Sequence, residues 1–367
     1  MDDVSHNNYI VPYRTIEEFK LFDLELLRLT LQGGSVFNWN QLAFQGDDAQ
    51  AFCRNLGFEL DNPADIALIE RIRDEGIAYL SEVFSFSVPP SLRNADLLTL
   101  FHAAANPRSR HRRIYACTLL KAMHIINHFD AVEARQALKL ADQELFRKAE
   151  TRIYQTISQM MADRLPIVEF MGGRKQRASM VTKIISKDDP LSAQLFDKMR
   201  FRVVTATQND VLPTISFLSR NLFPLNYILS GESYNTLFSF SSFVAQHPHL
   251  MRLADRLSTP LATEDSAYPV SNLHSSPRYR VVHWVADMPI RIENFEDAYT
   301  TDGVNPVPRP VIYVRAEIQI LDRKSNRQNE RGDASHKSYK QRQMEAVRDK
   351  LRIAPKPENE ADTNAQT

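Results

Sequence analysis

Residues 311–320, VIYVRAEIQI, alternate in character along what reads as a strand. Tyr313, Arg315, Glu317 and Gln319 fall on one side, and Val314, Ala316, Ile318 and Ile320 on the other. A carboxylate on such a rigid platform points to an enzyme. In 172–183, GGRKQRASMVTK, Lys175, Ser179 and Lys183 recur every fourth residue, which lines them along one face of a helix starting just after Gly172 and Gly173. A helix N-terminus offers unpaired amides and partial positive charge, to which Lys175 and either Arg174 or Arg177 add donors, so this face suits phosphate. The span 171–204 carries eight Lys and Arg against three Asp, a local excess that would attract a polyphosphate. Taken alone, the same spacing more often marks a solvated basic helix face.

Asp197 opens DKMRFRVV, a polar turn feeding an apolar strand, which places its carboxylate at a sheet edge. Mg²⁺ takes hard oxygen ligands and commonly only one or two protein carboxylates beside substrate phosphates, so Asp197 and Glu317 would suffice together. Alone, Asp197 reads more readily as a loop cap or a surface ion pair. The strand 279–286, YRVVHWVA, puts Tyr279 and His283 on one face. An aromatic face stacks on any base, which supports a purine acceptor without selecting guanine, and an ordinary half-buried strand fits equally well. His124 and His128 stand four apart but lack a third ligand at a supporting spacing, so core or surface histidines are the better reading. The basic run 108–113, RSRHRR, suits a solvated helix start better than an RNA contact. No G-x-S-x-G, P-loop or dinucleotide fingerprint is present.

Taken in order, these stretches resemble the (p)ppGpp synthetase domain of the RelA/SpoT family. Its R-x-K-x-x-x-S-x-x-x-K is matched by Lys175, Ser179 and Lys183, with the family arginine falling on Gly173 beside Arg174. Its D-x-x-G-x-R is matched by Asp197 and Arg202, with Arg200 in place of glycine. Tyr279 and His283 match N-G-Y-x-S-L-H, where Pro277, Arg278 and Val281 depart from it. Glu317, Gln319 and Ile320 match E-x-Q-I-R-T, with Leu321 and Asp322 replacing its last two residues. Glu330, Gly332, Ala334, His336, Tyr339 and Lys340 match A-E-x-G-x-A-x-H-W-x-Y-K, with Lys337 in place of tryptophan. The resemblance covers 172–340 and leaves 1–150 untouched.

It implies an α+β fold, a nucleotidyltransferase-like mixed β-sheet flanked by helices. It also implies transfer of the β,γ-diphosphate of ATP to the 3′-hydroxyl of a guanine nucleotide, with Mg²⁺ as cofactor. Asp197 and Glu317 would be the catalytic, metal-holding carboxylates. Arg174, Lys175, Arg177, Ser179, Lys183 and Arg202 would hold ATP phosphates, while Tyr279, His283 and Gln319 would serve the acceptor. Glu330, His336, Tyr339 and Lys340 are matched positions with a supporting role. An adenine nucleotide or a tRNA 3′ end stays open as acceptor, as does a catalytically degenerate nucleotide-binding module. The adjacent His-Asp pair of the family's hydrolase domain is missing.

The elements that must position these residues divide the chain by texture. Residues 1–150 read as an all-helical N-terminal domain. Thr15 and Glu18 form a capping box, Phe19, Phe22, Leu26 and Leu29 recur at helical steps, and Gly33-Gly34 supplies a stop. Further helices are expected over 63–84, 109–129 and 131–162. Residues 151–345 form the second domain, with a polar helix at 174–186, strands at 201–205, 279–286 and 311–320, a helix at 211–222 and an insert over 230–278. The tail 354–367 lacks the apolar residues to fold and reads as disordered. Across 367 residues, Lys plus Arg equals Asp plus Glu at 45 each, which excludes bulk charge-driven binding to DNA or a membrane surface. With no membrane-length apolar run and no signal-like start, a cytoplasmic protein is expected. Cys53 and Cys117 are too few for a disulfide framework and read as reduced core residues. An RNA or protein partner of the helical domain, and a homo-oligomer, stay open.

Overall fold

The computed structural model describes residues 10–31, 39, 42, 44–106, 108–163, 165–174, 177–186, 199–229, 232–257, 261, 276, 278–295, 298 and 309–352. Among the described residues, seven α-helices come first: α1 (Leu21–Leu31), α2 (Asp48–Asn55), α3 (Pro63–Phe84), α4 (Pro90–Arg93), α5 (Leu97–Ala105), α6 (Arg110–Ala137) and α7 (Asp142–Ala162). Local chemistry sets several of these boundaries. The Asn62 side chain accepts from Ala64 and Asp65 amides at 2.9 and 3.4 Å ahead of Pro63, so α3 starts where an orphan donor is satisfied and a missing N–H costs nothing. Glu18 accepts the Thr15 amide at 2.8 Å, which closes the expected capping box on a short turn ahead of α1. Gly33 and Gly34, the expected stop, lie outside the described residues.

The second half follows as β1 (Ile167–Arg174), α8 (Arg177–Ser186), β2 (Met199–Thr205), α9 (Val211–Asn221), β3 (Tyr234–Asn235), α10 (Phe240–Ala245), α11 (Pro248–Ala254), β4 (Val282–Arg291), β5 (Val311–Asp322), α12 (Arg323–Asn329) and α13 (His336–Leu351). The five strands form one mixed sheet in the order β1-β2-β5-β4-β3, in which β2 and β5 run parallel and the other pairs antiparallel. The chain is therefore α+β, a mixed sheet flanked by helices behind a helical N-terminal region. The 230–278 stretch carries β3, α10 and α11, and the 354–367 tail lies outside the described residues. Among the described residues no helix is long and apolar enough to cross a membrane.

Three expectations need correction. The break expected between helices at 109–129 and 131–162 falls later, since α6 runs through Asp130 to Ala137 and α7 starts at Asp142. The glycines at 172 and 173 do not precede a helix; they sit inside β1, and α8 begins only at Arg177. Gly172 faces Phe201 across the strand pair, and a Cβ there would come within 2.4 Å of the Phe201 ring, so this glycine marks a close approach rather than a turn. The strand expected over 279–286 begins at Val282 and runs to Arg291, through Pro289. Among the described residues β3 pairs only with Val282 and His283, so β4 has an unpaired side at Pro289, where a missing N–H is tolerated.

The sheet has an apolar and a polar face. Gly172, Phe201, Ile318 and Trp284 stand in one row across four strands. Phe170 and Phe201 stack at 6.0 Å, Tyr154 of α7 meets Phe170 edge-on at 5.3 Å, and Phe223 after α9 meets Trp284 at 6.4 Å. One apolar cluster joins this face to the helices, from Leu24 and Leu100 to Ile215, Trp284 and Ile318. Buried ion pairs tie the same halves. Asp23 on α1, fully buried, meets Arg220 of α9 at 2.6 Å and Arg14 at 2.8 Å, and Arg220 also reaches Asp48 at 3.3 Å. Cys53 and Cys117 are buried and free, each thiol pKa raised by burial.

Candidate functional site

The polar face is built by strand register. Because side chains alternate, Arg200 and Arg202 of β2 share a face that excludes Phe201 and Val203. Parallel pairing then sets Arg200 opposite Glu317 and Arg202 opposite Gln319. On the far side of β5, antiparallel pairing brings His283 opposite Gln319, and Tyr234 of β3 opposite His283. One rung thus reads Gly173, Arg200, Glu317, Val285 and the next Met171, Arg202, Gln319, His283, Tyr234.

The side chains on these rungs bond to one another. Glu317, 4% exposed, accepts two hydrogen bonds at Oε1, from Arg200 Nε at 3.0 Å and Gln319 Nε2 at 3.0 Å, and His283 Nε2 lies 3.3 Å from the same oxygen. Gln319 Oε1 in turn accepts from Arg202 Nε at 3.1 Å and Nη2 at 3.0 Å. Arg202 Nη2 also donates to the Tyr279 hydroxyl at 2.9 Å, and Nη1 lies 3.7 Å from the Glu330 carboxylate. The Tyr234 ring stacks on His283 at 4.5 Å with the planes 19° apart. His283 Nδ1, buried, has no hydrogen-bond partner among the described residues.

Burial acts against the Arg200 charge, but the Glu317 carboxylate and the Tyr279, Tyr234 and Tyr339 hydroxyls around it more than compensate and raise its pKa. Burial raises the Tyr279 pKa, against the pull of Arg202 and Arg200, and raises that of Tyr234, with Glu317 adding to it. Both phenols therefore stay protonated at neutral pH. Chemically the cluster is a carboxylate clamped by a guanidinium, with a second guanidinium beside a half-buried aromatic ring. Such a face can hold anionic groups and orient a hydroxyl.

The residues singled out in the sequence divide sharply. Glu317, Gln319, Arg202, Tyr279, His283 and Glu330 converge here, with Tyr279 reaching in from just before β4 rather than from within it. Arg174 goes elsewhere: it ends β1 opposite Met199, pairs with Glu150 of α7 at 3.1 Å and lies 5.7 Å over the Phe146 ring. Ser179 sits half-buried on α8, and Arg177 and Lys183 take their places on the same helix. Lys175 and Asp197 lie outside the described residues, and β2, which begins two residues after Asp197, is an inner strand rather than an edge. α13 starts at His336, carries half-buried Tyr339 and exposed Lys340, and is tied to the end of α8 by Gln343 and Lys350, which donate to Ser186 at 3.3 and 3.1 Å. His124 is half-buried, bonds Asn226 at 3.0 Å and has its pKa lowered to about 3 by burial, then by His128. His128 instead meets Asp287 at 3.1 Å, so the two imidazoles do not converge on one point.

Arg200 and Tyr234 were not singled out. The alternation of Met199, Phe201 and Val203 places Arg200 beside Arg202, so its position was readable. Tyr234 carries no such signal, because its partner strand begins 48 residues later.

Mg²⁺ requires hard oxygens, and Glu317 offers them on a rigid strand. Among the described residues, no group of three or more His, Cys, Asp or Glu side chains is arranged to hold a metal ion. Glu317 Oε1 is already in contact with Arg200 Nε at 3.0 Å.

No protein-family model matches the chain, and no curated protein matches it. Among solved structures, small alarmone synthetase 2 from Bacillus subtilis aligns at 18% identity over 57% of this chain and 86% of that chain, with a TM-score of 0.31. Small alarmone synthetase 1 from Bacillus subtilis, bound to its product pppGpp, aligns at 19% identity over 60% and 89%, with a TM-score of 0.27. A GTP pyrophosphokinase family protein from Streptococcus pneumoniae aligns at 14% identity over 57% and 84%, with a TM-score of 0.29. At these TM-scores the likeness carries no argument, and the function of the chain has to be read from its own residues.

Proposed function

We propose that the chain is a nucleotide pyrophosphotransferase that moves the β,γ-diphosphate of ATP to the 3′-hydroxyl of a guanine nucleotide. The observation that supports this most is convergence. Arg202, Tyr279, His283, Glu317, Gln319 and Glu330 come from separate stretches that resemble synthetase motifs, and they meet in one connected cluster. In the reaction the acceptor 3′-oxygen bonds to the β-phosphorus, the bond from that phosphorus to the α,β-bridging oxygen breaks, and AMP leaves. Glu317 orients the acceptor hydroxyl and takes its proton. Arg202, held by Gln319 and Glu330, faces phosphate oxygens, and the ring of Tyr279 stacks on the acceptor base. Lys175, Ser179 and Lys183 would add phosphate contacts. Asp197 and Glu317 would hold Mg²⁺, which supplies charge neutralisation at the phosphates. Catalysis of this kind depends on positioning and electrostatics more than on covalent chemistry.

The clamped carboxylate favours one second reading, a nucleotide-binding module without turnover. The test incubates the purified chain with labelled ATP, Mg²⁺ and GDP, GTP, ADP or tRNA, and identifies the products by mass. Transfer to a guanine nucleotide with release of AMP is expected. Tyr279→Ala should raise the acceptor KM roughly five- to hundred-fold, while Tyr279→Phe, which keeps the stacking face, should raise it far less. Transfer only to tRNA would replace the alarmone-type reading, and ATP binding with no product would favour the binding module.

A further inference from the structure

We propose that the outer edge of β1 and the adjoining face of α7 form a two-fold contact with a second copy of this chain, in which the two β1 strands pair antiparallel about Met171 and join two five-stranded sheets into one. The proposal stands apart from the reaction proposed above. Three observations carry it.

First, the edge is open. β1 is an end strand of the sheet, and among the described residues it pairs only with β2, so the amides and carbonyls on its outer side meet no partner strand. Natural sheets commonly guard such an edge with a proline or a lysine, which stops another chain from adding on. β1 contains neither, and Val168 and Met171 stand 38% and 42% exposed on it. Its one irregularity lies between Ile167 and Glu169, which leaves Glu169–Arg174 regular.

Second, the α7 surface beside this edge is uncharged. Tyr154 meets Phe170 of β1 edge-on at 5.3 Å, and around it α7 exposes Gln155, Ser158, Gln159, Met161 and Ala162 without a charge among them. On α3, by contrast, Glu70, Asp74, Glu75 and Glu82 face water. Loss of charge together with Tyr154 and Met161 at 47% and 56% exposure is the composition of an interface core, not of a solvated helix face.

Third, the strand is self-complementary. Opposing residues of an antiparallel pair lie on one face, so a two-fold centred on Met171 sets Phe170 against Gly172 of the partner subunit, once on each side of the axis. Both positions belong to the α7 side of the sheet: Phe170 stacks on Phe201, and Gly172 sits over the same ring. Each large ring thus meets a position without a side chain. A shift of two residues in either direction would set Phe170 against its own copy or against Arg174. The same two-fold brings the Glu169 end of one strand to the Arg174 end of the other, so opposite charges approach at both ends. An unrelated strand has no reason to match both the glycine and the charges, which favours a second copy as the occupant.

The test is sedimentation velocity of the full chain over a range of protein concentrations, where wild type should reach twice its 42.2 kDa mass. Met171 lies on the axis and so faces itself. Met171→Lys or Met171→Glu sets two like charges against each other and should weaken the dimer about a hundred-fold or more. An equal mixture of the two variants should recover a dimer, because the lysine of one then faces the glutamate of the other, and this recovery also shows that neither variant has lost its fold. Wild type that stays at monomer mass at every concentration overturns the proposal. So does a dimer whose affinity Met171→Lys leaves unchanged, and so do two weakened variants that fail to recover on mixing.

Discussion

Glu317→Gln is expected to lower diphosphate transfer about a hundred-fold or more, the scale seen when one preorganised electrostatic group is removed from a transition state. The substitution keeps the shape and hydrogen-bonding reach of the side chain and removes its charge. Its acceptor oxygen can still receive Gln319 and Arg200, so the sheet should hold. Arg200 is left without its counter-charge, but at 40% side-chain exposure it can turn to solvent, which limits the stability cost to about 1 kcal/mol. The expected signature is therefore a collapse of kcat with a nearly unchanged unfolding midpoint, measured by product formation and by denaturant titration. Turnover within a few-fold of wild type would remove Glu317 from the mechanism.

The second large effect lies between α1 and α9. Asp23→Ala should destabilise the fold by about 3–5 kcal/mol, because it leaves a buried guanidinium without its partner. Asp23 is 0% exposed and accepts from Arg220, Arg14, Ser216 and the Lys20 amide, so its loss strands several donors. The contrast is Glu75→Ala, which breaks an exposed pair with Arg71 and should cost under about 1 kcal/mol. Urea unfolding of both variants decides the matter. If Asp23→Ala lost no more than Glu75→Ala, the network joining α1 to α9 would be ornamental. A short turn over Gln208–Asp210 separates α9 from β2, so loss of this network should lower activity mainly by lowering the folded population.

Much of the architecture was legible because local chemistry and periodicity agreed. α3 runs over the expected 63–84, with Asn62 and Pro63 setting its start and Ser85 in a left-handed conformation marking its end. β5 was readable from alternation alone, and with it the shared face of Tyr313, Arg315, Glu317 and Gln319. β1 was not, because its two glycines mimic a stop. Only the ring of Phe201, a residue 29 positions further on, explains why Gly172 lacks a side chain. The same limit governs the site. Types and spacing pointed to Tyr279 and Glu317, and the family resemblance to Arg202, but which donor meets which acceptor is set by strand order, and neither the clamp by Arg200 nor the Tyr234 stack exists until β2, β5, β4 and β3 lie side by side. Arg174 shows the converse, since a basic residue next to a motif position found a nearer carboxylate on α7.

The placement of β5 between β2 and β4 also fixes when this cluster can exist during synthesis. Arg200 and Glu317 are 117 residues apart in the chain, yet they are direct partners in the sheet. On the ribosome, β1 and β2 can zip together as soon as both have emerged, but the inner edge of β2 then waits, its amides and its arginines uncovered, until the last strand arrives. Closing so long a loop is entropically costly and slow, and an uncovered edge is where chains stick to one another. The step that assembles the cluster is therefore the same step that seals the sheet, so a chain truncated before 311 would lack both Glu317 and the strand that protects β2 from aggregation.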